Sequence, residues 1–102
     1  MAEHSLTDEL ESELEVIERT IKILDEIKKE QPIGISKLSD KMNIEEHKIR
    51  YSLRLLQKDK IIEPTSHGAS LAEKHEKFEK KLIKDLQDME QTIEDLIEML
   101  PE

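Results

Sequence analysis

The chain has 102 residues, 40% of them charged and only 2% aromatic, with no Cys and a formal net charge of −9. That is one domain's worth of chain with a modest core. The lack of Cys excludes disulfides, thiolate metal sites and cysteine nucleophiles, and no stretch approaches the roughly 20 apolar residues needed to span a bilayer.

The opening MAEHSLTDELESELE has neither the basic n-region nor the apolar run of a targeting segment, so a soluble, cytoplasmic protein without membrane contact is expected. Leu10, Leu14, Ile17, Ile21 and Leu24 then recur at steps of four and three, one stripe of a helix predicted from about Thr7 to Glu30. Gln31-Pro32-Ile33-Gly34 stops it, because Pro32 biases its predecessor away from helical dihedrals, and Ile33 and Ile35 allow a very short strand. Ser36 is placed to cap a short second helix, Lys37 to Met42, with Leu38 and Met42 as an apolar i, i+4 pair.

Asn43-Ile44-Glu45-Glu46 reads as a capping box that opens a third helix from about Ile44 to Lys58, with Ile49, Leu53 and Leu56 on its inner face. Lys60 to Thr65, β-branched and then broken by Pro64, suits a short edge strand. Ser66-His67-Gly68 supplies a turn. A brief return strand gives way at Ser70-Leu71-Ala72-Glu73, a second capping-box pattern, to a last helix reaching Leu100. Within that helix Leu82, Leu86, Met89, Ile93, Leu96 and Leu100 form an unbroken d/a heptad series.

The expected fold is therefore mainly α: a winged helix-turn-helix with a short β-hairpin wing and long N- and C-terminal amphipathic helices. Residues 1–31 form the N-terminal helix, 32–72 the winged core and 73–102 the heptad helix, in a single structural domain.

Net acidity argues against nucleic acid, since phosphate binding draws on Lys and Arg, but the charge is unevenly placed. The three segments carry −6, +2 and −5. From Lys41 to Lys60, within the middle one, Lys41, Lys48, Arg50, Arg54, Lys58 and Lys60 stand against Glu45, Glu46 and Asp59. At about 100° per residue, the third helix turns His47, Tyr51, Arg54 and Lys58 away from its apolar stripe, with Arg50 on their shoulder. Arg can fork onto guanine O6 and N7, while Tyr and His can bond phosphates or base edges; Lys58 and Lys60 would meet the backbone. The candidate DNA-binding set is His47, Lys48, Arg50, Tyr51, Arg54, Lys58, Lys60 and, at the wing tip, His67. The blander reading is that any amphipathic surface helix turns charge outward, and that His67 is a plain turn residue in a wing without Arg or Lys at its tip.

His67 and His75 lie eight apart across an element boundary, and His4 and His47 lie elsewhere, so no metal-ligand spacing is present. No nucleophile with its base, phosphate-cradling glycine loop or nucleotide fingerprint occurs. The expectation is a protein with no catalytic residues, no metal and no cofactor.

Gly34 to Ile44 (GISKLSDKMNI), Lys48 to Thr65 (KIRYSLRLLQKDKIIEPT) and the Gly68-Ala69 pair resemble small archaeal predicted transcriptional regulators with a winged helix-turn-helix and a helical tail. The resemblance implies binding of double-stranded DNA and regulation; it names no operator and no effector. In that superfamily a glycine often holds the helix-to-strand turn where Asp59-Lys60 stands here. The heptad series, Leu82 to Leu100, suits a homodimer interface, although the flanking helices could instead pair within one chain. A protein-interaction module, docking its acidic helices on a transcription or replication complex, is the competing reading. For a small-molecule effector the sequence offers no convergent polar pocket.

Overall fold

A computed structural model describes residues 4–102. The order is α1 (Asp8–Lys29), α2 (Ile35–Met42), α3 (Glu46–Lys58), β1 (Ile62–Thr65), β2 (Gly68–Leu71) and α4 (His75–Glu98). β1 and β2 pair antiparallel from Ile62 opposite Leu71 to Thr65 opposite Gly68, and Ile33 adds one antiparallel bridge to Ala69. Three helices followed by a β-hairpin packed beside the third define a winged helix-turn-helix, as the pattern predicts.

The core sits between α1, α2, α3 and the hairpin. Ile23, Leu24 and Ile27 of α1 meet Ile33, Leu38, Ile49, Leu56, Ile61, Ile62 and Ala69. Burying one such side chain stabilises by about 1.5–3 kcal/mol. In α1 the buried stripe is displaced from the one its spacing suggests. Thr20, Ile23, Leu24 and Ile27 face inward, whereas Leu10, Leu14 and Ile21 are exposed. The helix carries two apolar stripes that share Leu24, and α3 covers only the C-terminal one.

Three capping assignments change. Asn43 adopts a left-handed conformation (φ 55°) that closes α2 rather than opening α3. Asn tolerates that region, and Ser39 secures the turn by donating from Oγ to the Ile44 carbonyl at 2.6 Å. α3 consequently begins at Glu46, two residues later than expected. α2 begins at Ile35, with Gly34 as its N-cap and Ser36 already inside the helix. Ser70 does not cap α4; it pairs with Glu63 in the hairpin, the ladder runs through Leu71, and the last helix waits until His75.

The wing closes tightly on the strand-like residue Ile33. Gly68 has φ +125°, and a Cβ there would lie 2.3 Å from the Ile33 carbonyl carbon. Only glycine permits both the dihedral and the approach. At the other end of the hairpin, Lys60 takes φ 63°, so a lysine occupies the left-handed turn where related folds often place glycine.

Candidate nucleic-acid interface

α1 holds α3 from behind through a buried polar contact. Ser52 interrupts the apolar stripe of α3 and is fully buried. Arg19 Nε donates to Ser52 Oγ at 3.0 Å, the Ser52 and Thr20 hydroxyl oxygens are 2.8 Å apart, and Thr20 Oγ1 donates to the Val16 carbonyl at 2.7 Å. Each hydroxyl owns one proton, so all four groups are satisfied together when the bonds run from Arg19 through Ser52 and Thr20 to Val16. This relay helps fix the rotation of α3 and hence which residues it presents outward.

With Ile49, Ser52 and Leu56 inward, His47, Arg54 and Lys58 stand at the centre of the opposite side, all exposed. Tyr51 leans to one flank, where it borders a groove of about 300 Å³ with Leu55, Lys58, Ile17 and Ile21 of α1 and Leu82 of α4. Arg50 and Gln57 lean to the other, facing Pro64 and Thr65 of the wing across a second groove of about 300 Å³ that Arg54 also lines. The structure thus gathers His47, Arg50, Tyr51, Arg54 and Lys58 on one surface. Lys48, Lys60 and His67 lie at its margins.

The charges there are unequally available. Arg50 lies 3.8 Å from Glu46, while His47 and Lys48 lie 3.7 and 3.6 Å from Glu45. These exposed pairs are weak, worth at most about 1 kcal/mol, and a phosphate could replace the carboxylate. Lys48 also borders a groove with Glu15 and Glu18 of α1. Arg54 and Lys58 make no ion pair among the described residues. The lysines of α2, by contrast, are spent on α1. Lys41 reaches Glu26 at 3.0 Å and Glu30 at 3.6 Å, and Lys37 pairs with Glu30. The Lys41 ammonium beside it holds Glu26 below the usual carboxylate range, and the hydrogen bond from Lys37 does the same for Glu30.

At the wing tip His67 is exposed, its Nδ1 3.1 Å from Ser66 Oγ. Thr65 Oγ1 accepts the His67 N–H at 3.1 Å and donates to the Gly68 carbonyl at 2.7 Å. Lys60 turns toward α4, its Nζ 5.8 Å from the centroid of Phe78.

α4 is two structures in one. Phe78 and Leu82 pack against the core, and Glu79 accepts from Lys28 of α1 and from His75 Nδ1, the latter at 2.6 Å. Burial alone would raise the Glu79 pKa, but the two hydrogen bonds and the positive charge beside it outweigh that and keep it low. Beyond Leu86 every residue is exposed. The heptad series is therefore divided: Leu82 and Leu86 are half-buried, Met89, Ile93 and Leu96 are open, and Leu100 lies past the helix end.

Sequence reasoning missed the Arg19, Ser52, Thr20 relay. Its signal was a small hydroxyl residue within an apolar stripe, with a threonine on the facing helix. Among the described residues no group of three His, Asp or Glu could hold a metal ion, and no helix is long and apolar enough to cross a membrane.

A helix-turn-helix presenting Arg54 and Lys58 beside a β-wing is the architecture of a DNA-binding domain of the winged class. The chain matches the family described as CggR N-terminal DNA binding domain over residues 16–89, and it belongs to that family of DNA-binding regulator domains. The match runs from Val16, partway along α1, to just past the packed half of α4. A search of curated proteins returns no match.

Proposed function

We propose that this protein regulates transcription by binding double-stranded DNA as a homodimer, with α3 in the major groove. The observation that carries the reading is the outward face of α3, where Arg54 and Lys58 are exposed and, among the described residues, free of ion pairs, while the nearby lysines of α2 are neutralised by α1. Membership of a DNA-binding family supports it. His47 and Arg50, near the N-terminus of α3, would lie deepest in the groove; Tyr51, toward α1, would meet its edge; Lys58, and at the margins Lys48, Lys60 and His67, would meet phosphates. Homodimerisation would use the open part of the heptad series, Met89, Ile93 and Leu96, with Leu82, Leu86 and Leu100 at its ends. Two α3 helices would then read two half-sites.

Titration of labelled duplex by fluorescence anisotropy tests the reading. Arg54→Ala should weaken binding about tenfold or more, the direction a lost base-edge or phosphate contact requires. Absence of binding by the unaltered protein even at low salt would overturn it. Sedimentation equilibrium tests the dimer separately, and a monomer at tens of micromolar would refute that part.

One observation favours a second reading, the protein-interaction module. Residues 85–102 carry seven acidic and no basic residues along an exposed apolar stripe, which suits a basic amphipathic partner. Stoichiometric co-purification of such a protein, with no retention on a DNA column, would favour it over DNA binding.

A further inference from the structure

The wing offers phosphate no lysine or arginine at its tip, yet a strongly basic ridge lies on the other flank of α3. From 74 to 84 the chain carries Lys74, Lys77, Lys80, Lys81 and Lys84 against Glu76 and Glu79. Glu79 is already engaged by Lys28 and His75, so its charge does not offset the ridge. Lys60, thrown outward by its left-handed turn, and Lys77, from the first turns of α4, hold their ammonium groups 5.8 and 5.7 Å from the same Phe78 ring. A groove of about 200 Å³ joins Lys60 and Phe78 to the end of α3, lined also by Lys58, Asp59, Lys81, Leu82 and Asp85. Asp85 is matched by Lys81 at 2.8 Å. With Asp85 so matched, the groove leaves Lys58 and Lys60 against Asp59, and Lys77 adds a third cation at the Phe78 ring.

We infer that this ridge, Lys58, Lys60 and Lys77 arranged around Phe78, is a second DNA-backbone contact, and that it anchors the duplex where the wing is too weakly charged to do so. The inference rests on the DNA-binding reading above and adds α4 to the interface. A duplex seated across the outward face of α3 has a phosphate strand on each side of its major groove. The Arg50 flank meets the wing, whose tip is Thr65, Ser66 and His67. The Tyr51 flank leads through Lys58 to Lys60 and α4. The half-buried aromatic ring gives two flexible lysines a common contact before any phosphate arrives, which lowers the side-chain entropy lost on contact. The ridge ends abruptly, since the acidic run begins at Asp85, so the duplex would meet α4 only at its base.

The test is the salt dependence of duplex affinity for the full chain. Each phosphate contact contributes a slope of about 0.9 in log Kobs against log salt. The double variant Lys60→Gln/Lys77→Gln should lose about two contacts, a slope lower by about 1.8, with affinity falling by a similar factor on every duplex sequence tried. Circular dichroism should show the double variant folded. If the double variant keeps the full slope while the unaltered protein binds, the ridge is refuted and DNA binding stands. If the unaltered protein binds no duplex at low salt, the DNA reading falls and the ridge with it.

Discussion

The winged core and the projecting halves of α1 and α4 have the same kind of sequence, apolar residues at helical spacing among many charges, and opposite fates. Ile23, Ile27, Leu38 and Ile49 are fully enclosed, whereas Leu10, Met89 and Leu96 are about half exposed. The core supplies a second element for each apolar stripe: α1 covers α3, and the hairpin covers Ile33. The projecting stripes have no such neighbour among the described residues. Periodicity therefore specifies that a helix forms and which faces are apolar; it does not specify which apolar face finds a partner within the chain. Electrostatics divides the molecule along the same boundary. Cations collect on α3 and at the base of α4, while residues 85–102 carry seven acidic and no basic residues.

Truncation should separate the two regions most sharply. Ile49→Ala removes a fully enclosed side chain and should cost about 2–5 kcal/mol in urea unfolding. Leu96→Ala should change the stability of the dilute monomer by less than about 0.5 kcal/mol and should instead weaken self-association. Equal costs at the two positions would mean that the projecting stripe is covered within the chain.

Ser52→Ala should cost about 1–3 kcal/mol, because Arg19 and Thr20 each lose a buried partner. A cost near zero would show that water or a neighbouring carboxylate replaces the hydroxyl, and that the relay does not orient α3.

Acid should loosen the join between core and α4. Glu79 is held below its unfolded pKa of about 4.3. Its contribution to stability is then present above that unfolded value and is lost as pH falls through the lower folded one. In Lys28→Met, burial acts on Glu79 with less opposition, so the acid limb of a circular dichroism titration should move to higher pH. An unmoved limb would indicate that Glu79 does not tie α4 to α1.

A small effect of opposite sign belongs to the turn. A left-handed conformation costs a non-glycine residue about 1–2 kcal/mol, and glycine's added chain entropy returns about 0.5–1 kcal/mol of that. Lys60→Gly should therefore stabilise by about 0.5 kcal/mol while weakening duplex binding, a divergence that would separate the turn's structural cost from its ridge function.

Much of the fold was legible in the sequence because local rules acted alone there. The break at Pro32, the apolar face of α3 and the Pro64 strand all follow from propensity and spacing. The capping boxes failed where a tertiary or competing local demand won. Asn43 was drawn into the left-handed close of α2, and Ser70 was drawn into the ladder with Glu63. In α1 the longest regular stripe was the wrong one for the core, since burial followed contact with α3 instead of regularity. The outward set on α3 was legible from angle alone. The charge switch within α4 was present in the sequence as well, but counting 73–102 as one acidic segment averaged five clustered lysines away. What no spacing could reveal is the Lys60 turn, which brings a residue from the α3–β1 connection to a ring 18 positions later.

On the proposed reading, DNA meets α3 and the basic base of α4 while the acidic projections stay clear. Amide chemical-shift mapping during titration with duplex tests it in one experiment. The predicted result is perturbation across residues 47–60, weaker changes at 65–68 and around 74–78, and none beyond Leu86 that dimerisation alone does not produce. Perturbation concentrated in 86–100 with α3 unmoved would contradict it.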